Sequence, residues 1–202
     1  MFLKVAVSSL LSRKGSAVMT LMAISVAIFV LLGIEQIRQQ ARESFASTVS
    51  GVDLIVGAKT GSLNLLLYSV FRIGSPTDNI SWQAYREIAD ADDVAWTIPI
   101  SLGDSHEGYR VVGTTQAFFE YFSFGKKRRL AFYKGEAFEG TFDAVLGSEV
   151  ASALGYSMGT EIILAHGLAS TSFTKHENQP FVVVGVLAPT GTPVDHTLLV
   201  RL

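Results

Sequence analysis

From Ser16 to Ile34 the chain reads SAVMTLMAISVAIFVLLGI, with no charge and no proline. A helix of about nineteen residues is roughly 30 Å long, the thickness of a bilayer's hydrocarbon core. The run therefore predicts a transmembrane helix, because a core helix of a soluble domain seldom needs so long an uncharged stretch. Beyond it, Gln36 to Ser50 is mostly polar. Ile37, Ala41, Phe45 and Val49 recur there every four residues, a single apolar stripe. That spacing predicts a helical stalk continuing from the span and ending at Gly51. Ahead of the span, FLKVAVSSLL (Phe2 to Leu11) reads as an amphipathic membrane-surface helix or as an unstructured leader to the span.

After the stalk the pattern changes to short alternating or apolar runs. VDLIVGA (Val52 to Ala58) is β-branched and predicts a buried strand. Leu63, Leu66, Leu67, Val70 and Phe71 are spaced by three and four, a short amphipathic helix opening at Gly61-Ser62. Ser75 to Asn79 reads as a turn. Ser81 is an N-cap for a helix with Tyr85, Ile88 and Ala89 on one side. Asp92-Asp93 breaks it, and Val94 to Leu102 predicts a strand, so helix and strand read as the second half of a βαβ unit. Further strands are expected at Tyr109 to Gly113, Ala144 to Leu146, Glu161 to His166, Phe173 to Thr174, Phe181 to Leu187 and from Thr197 to Val200. A short helix is expected at Ser148 to Leu154, and a short helix or loop at Phe118 to Phe124.

The fold class this predicts is α+β. Residues 1–15 form a cytoplasmic or surface segment, 16–50 the span and stalk, and 51–202 an extracytoplasmic domain. Within that domain 52–122 is mixed α/β, 131–187 is β-rich, and 188–202 begins a return to the α/β part.

Charge sets the expected orientation. Lys4, Arg13 and Lys14 precede the span with no acidic residue among them, whereas Glu35, Arg38, Arg42 and Glu43 follow it. Positive charge inside puts the N-terminus in the cytoplasm and the domain on the far side. A cleaved signal peptide would export the domain too, but its apolar core is shorter, about 7–15 residues, and a cleavage site follows it. A net charge of −2 gives no electrostatic case for nucleic acid. The one basic run, Lys126 to Arg129, reads as a solvated turn or strand end. With no cysteine, an exported domain rests on its hydrophobic core and not on disulfides.

Candidate chemistry is sparse. GAKTGS (Gly57 to Ser62) has the wrong spacing for a phosphate-binding loop. Ser148 lacks a nucleophile-elbow context, and no thiol is available. Asp92-Asp93 and Glu136/Glu139 read as solvated carboxylates. His166 and His176 flank a possible hairpin, GLASTSFTK, that would bring two imidazoles together, with Glu177 as a third donor. They are the weak candidates for a metal or haem site.

The order of parts resembles the permease subunits of MacB-like and FtsX-like ABC transporters. The residues carrying the resemblance are AVSSLLSRKG (Ala6 to Gly15), the stalk, DLIVGAKTGSLNLLLYSVFRIGSPTDNI (Asp53 to Ile80) and VVGTTQAFFEYF (Val111 to Phe122). VLGSEVASALGYSMGTEIIL (Val145 to Leu164) and FVVVGVLAPTGTPVDHTLLV (Phe181 to Val200) complete it. The resemblance implies a first transmembrane helix and stalk leading into a periplasmic domain of an inner-membrane permease. It implies that ATP and Mg are bound by a separate ATPase subunit and that this chain holds no cofactor and no catalytic site. Expected partners are the membrane, that ATPase, a second copy or paired permease, and a periplasmic adaptor. Gly33, Ile37, Ala41 and Phe45 are expected on the coupling helix, with Gly33 its soft point. Leu63, Leu66, Leu67 and Phe71 are the expected substrate or partner surface. Members of this class continue into three more transmembrane helices, so the expectation is a fragment or a truncated reading frame. The other reading from the residues is a single-pass anchored periplasmic binding module, metal or haem binding included, that does not transport. An anchored enzyme has no catalytic constellation to support it.

Overall fold

The computed structural model describes residues 12–48, 50–74, 78–166 and 180–202. It divides into two compact units, residues 1–45 and 46–202. The first is dominated by helix α1, Lys14–Thr48, which runs for 35 residues, about 52 Å. Its stretch Lys14–Gln39 is long and apolar enough to cross a membrane, and the side chains there face outward with none of that stretch buried. Thr20 returns its hydroxyl proton to the Ser16 carbonyl at 3.0 Å, so the polar side chain in the apolar run is satisfied within the helix.

The second unit is built on a mixed sheet of eight strands: β1 (Ser101–His106), β2 (Tyr109–Thr114), β5 (Phe132–Gly135), β6 (Asp143–Leu146), β7 (Glu161–Ile162), β8 (Ala165–His166), β9 (Phe181–Leu187) and β10 (Thr197–Arg201). A separate two-stranded hairpin joins β3 (Ser123–Phe124) and β4 (Arg128–Arg129). The large sheet runs in the order β5-β9-β6-β10-β2-β1-β8, with β7 beside β5 on the same edge of β9. Strand β10 lies parallel to β2 and antiparallel to β6. Strands from both sections of the sequence therefore enter one sheet, and the last of them joins the two halves.

Both faces of this sheet are covered, which explains why its central strands are apolar without alternation. In β10, Leu199 points into one core with Val112 and Val145. Its neighbours Leu198 and Val200 point into the other with Val111, Ala144 and Leu146. This is the period-2 alternation of a strand, with both sides dry. One core is closed by α4 (Ala117–Tyr121), whose Phe118 stacks on Phe122 at 4.8 Å between ring centroids. The other is closed by α5 (Ser148–Leu154) through Val150. Burying an aromatic side chain such as Phe118 contributes about 2–3 kcal/mol. Helix α5 stops because Gly155 adopts φ +67°, the left-handed cap that favours glycine.

Two short helices precede the sheet. Helix α2 spans Ser62–Ser69, and α3 spans Trp82–Ala89 with the Ser81 hydroxyl accepting from the Ala84 amide at 3.1 Å. The expected strand at Val52 to Ala58 does not form. Residues 52–57 run without pairing, and Leu54 is 80 % exposed. β-branched residues favour an extended strand, but no described segment lies alongside to accept its ladder. Likewise only the end of Val94 to Leu102 is strand, since β1 begins at Ser101. The Phe173 to Thr174 strand and part of the Ser75 to Asn79 turn lie outside the described residues.

Candidate functional site

Helix α1 carries the expected coupling positions. It passes Gly33 without a break, and nothing stands within 4 Å of where a Cβ on Gly33 would be. Ile37 is exposed. Ala41 and Phe45 lie on the same helix, and their side chains are outside the described set. An exposed Arg38–Glu35 contact of 3.4 Å sits near the end of the apolar stretch and contributes little to stability.

The expected apolar surface is α2 with the loop after it. Leu63 is 64 % exposed, whereas Leu66, Leu67 and Phe71 are half-buried. Leu65 fills the space over Gly57, where an added Cβ would collide with it. Two polar contacts dock this segment on the sheet. The Tyr68 hydroxyl donates to the Leu102 carbonyl at 2.8 Å, and Arg110 of β2 donates to the Gly74 carbonyl. The loop folds back on its helix, with the Ile73 amide donating to Leu67 O at 3.0 Å.

Arg72, on that loop, is a residue that sequence reasoning passed over. It is 8 % exposed, and its Nε and Nη1 have no hydrogen-bond partner among the described residues. Its backbone takes φ +60°, a left-handed conformation unusual for a side-chain-bearing residue. Burial pulls its guanidinium down to about 10, and the nearby Tyr68 phenol opposes this. The loss corresponds to about 3 kcal/mol against the charged form in the folded state. Burial in turn pushes the Tyr68 phenol up, with Arg110 and Arg72 pulling the other way. The signal was present in the sequence as a lone arginine closing an apolar helical pattern, which ordinarily reads as solvent-facing.

The histidines do not come together as a described site. His166 lies on β8, and nothing is described of its side chain; His176 lies outside the described residues. No group of three His, Asp or Glu side chains suited to a metal occurs among the described residues. His106 is buried with both ring nitrogens engaged, and His196 is exposed. The carboxylates of Asp92, Asp93, Glu136 and Glu139 are exposed, as expected for solvated groups.

One buried carboxylate was missed. Asp195 is 8 % exposed and accepts from the Thr190 amide at 2.9 Å, the Thr190 hydroxyl at 2.8 Å and the Gly191 amide at 2.7 Å. Thr192 in turn accepts from the Val194 amide at 3.3 Å. This knot turns the chain into β10 and has no open valence for a ligand.

An apolar helix long enough to cross a membrane precedes a mixed sheet covered on both faces. The chain matches the model of the MacB-like periplasmic core domain over residues 17–201, and it belongs to that family. The domain is the periplasmic part of permeases of the MacB-like and FtsX-like ABC transporter class. No curated protein matches the chain. Among solved structures it is similar to the crystal structure of a domain of a protein named as a permease from Porphyromonas gingivalis. The identity is 15 %, with 59 % of this chain and 54 % of that chain covered and a TM-score of 0.38. The chain thus spans about half the length of that structure.

Proposed function

We propose that this chain is the membrane-proximal and periplasmic part of an ABC transporter permease, with its N-terminus in the cytoplasm. A cytoplasmic ATPase subunit binds ATP and Mg and supplies the driving motion. Helix α1 carries that motion across the bilayer to the periplasmic domain, which moves or releases a substrate. The observation supporting this reading is the unbroken helix Lys14–Thr48. A continuous hydrogen-bonded backbone transmits displacement with little bending, and its polar end extends about 14 Å past Gln39.

The test uses the permease purified with its ATPase. The chain has no cysteine, so a single one introduced at the exposed Tyr133 is a clean reporter. Its labelling rate should differ between nucleotide-free and vanadate-trapped states. Gln39→Pro should abolish that difference while ATP hydrolysis persists, and Gln39→Ala should retain it. A nucleotide-dependent rate that survives Gln39→Pro would sink the lever.

A further inference from the structure

Arg72 is a buried cation with no counter-ion among the described residues. Its guanidinium is more than nine-tenths buried, and among the described residues two of its three nitrogens have no hydrogen-bond partner and no carboxylate acts on it. The groups that do act there are the Tyr68 phenol and, through it, a second guanidinium, that of Arg110. The Tyr68 phenol, neutral below its raised pKa, offers no full counter-charge, and two Arg72 donors stay unmade among the described residues. A folded chain keeps such an arrangement at a loss unless something anionic completes it.

The surroundings say what kind of anion. Ile73 and Gly74, directly after Arg72, are exposed, so the buried guanidinium belongs to a loop that reaches the surface. Ile73 is 59 % exposed, and Leu63 on α2 presents a further apolar side chain to solvent. A free inorganic anion would use the charge and leave that apolar surface wet. A molecule with an oxyanion head and an apolar body uses both.

We propose that Arg72, with Arg110 and Tyr68, receives the carboxylate or phosphate head of an amphipathic anion whose apolar part lies on Ile73 and the outer face of α2. This rests on the expectation that Leu63, Leu66, Leu67 and Phe71 form a substrate or partner surface, and it names the chemistry of what binds there. The left-handed backbone at Arg72 and at Gly74, φ +89°, marks the loop that would give way to admit the head.

The experiment is calorimetric titration of the full chain in lipid nanodiscs, with empty discs subtracted. The probes are octanoate, octyl phosphate, octanol, acetate and inorganic phosphate. Saturable binding of octanoate or octyl phosphate is expected, at least tenfold weaker for octanol and for the two small anions. Which of the two amphiphiles binds more tightly assigns the head as carboxylate or phosphate. Arg72→Gln should weaken binding at least tenfold, and Arg72→Lys should restore part of it. Equal affinity in Arg72→Gln, or no saturable binding by either amphiphile, would overturn the proposal.

A second readout guards against a variant that merely unfolds. With no probe present, Arg72→Met should raise the thermal midpoint by about 3 °C or more, because it removes an unpaired buried charge. A lowered midpoint would make the guanidinium a structural group and end the proposal. Neither measurement involves the ATPase, so the outcome is separable from that of the helix-breaking test.

Discussion

The Tyr156 hydroxyl stands 2.9 Å from Nε2 of His106, and Nδ1 of that ring faces the Ile163 carbonyl at 2.8 Å. A carbonyl can only accept, so Nδ1 carries a hydrogen, and in the neutral ring Nε2 accepts from the tyrosine. The ring thereby ties β1 to the turn after α5 and to the segment between β7 and β8. Tyr156→Phe should leave Nε2 without its donor in a buried place and cost about 1–2 kcal/mol. The shift of the urea midpoint measures it, and an unchanged midpoint would remove the tyrosine from the account.

Gly147 gives a sharper steric test. A Cβ there would collide with the backbone carbonyls of Val194 and Asp195, in the turn that feeds β10. Backbone cannot move aside as a flexible side chain does, so Gly147→Ala should destabilise by several kcal/mol, about 3 or more. Gly61 is the contrast. It caps α2 with φ −65°, and nothing lies within 4 Å of an added Cβ. Gly61→Ser adds a side-chain acceptor for a free amide and should leave stability unchanged or raise it by about 0.5 kcal/mol. Thermal melts of the pair settle both.

Alkaline pH should separate Tyr68 from the rest of the domain. Burial raises its phenol above the usual value of 10.0, so the folded state holds the proton more tightly than the unfolded chain does. The contribution is intact below pH 10 and is lost as pH rises through the folded value. Arg72 acts with the opposite sign. Its folded value, about 10, lies below the unfolded one, so its penalty is relieved only above that pH. Tyr68→Phe should therefore make the chain less sensitive to alkali than the parent, at the expense of about 1 kcal/mol near neutrality for the lost bond to Leu102. Parallel pH–stability curves for the two chains would contradict the assignment.

Membrane orientation has a direct check. A cysteine replacing Tyr133 should react with an impermeant maleimide from the periplasmic side of intact cells whose outer membrane has been opened. A cysteine replacing Ser12 should react only after the inner membrane is lysed. The reverse pattern would invert the topology read from Lys4, Arg13 and Lys14.

What the sequence made legible was what local pattern decides. The apolar run Ser16 to Ile34 predicted a helix, and that stretch lies within α1. The apolar runs at Phe181 to Leu187 and Thr197 to Val200 became β9 and β10, and the expected helix at Ser148 to Leu154 is α5. What it did not carry was pairing. Val52 to Ala58 has the composition of a strand, yet a strand exists only where a second one lies beside it. Arg72 was hidden for a related reason. Its segment is held against the sheet by Tyr68 on Leu102 and by Arg110 on Gly74, and Leu102 and Arg110 lie on β1 and β2, far along the chain. Asp195 was concealed inside a Thr-Pro-Gly turn whose hydrogen bonds no periodicity reveals.

Strand β10 comes last in this sequence yet occupies the middle of the sheet, between β2 and β6. The groups β1–β2 and β5–β9–β6 need no contact with it, but only β10 joins them. Until the ribosome has released residues up to Arg201, β2 and β6 present open ladders to each other across a gap one strand wide. Contacts so distant along the chain make for slow folding. In a nascent chain stalled at Thr192 the two parts of the sheet should be digested independently, and inserting β10 should make them protease-resistant together.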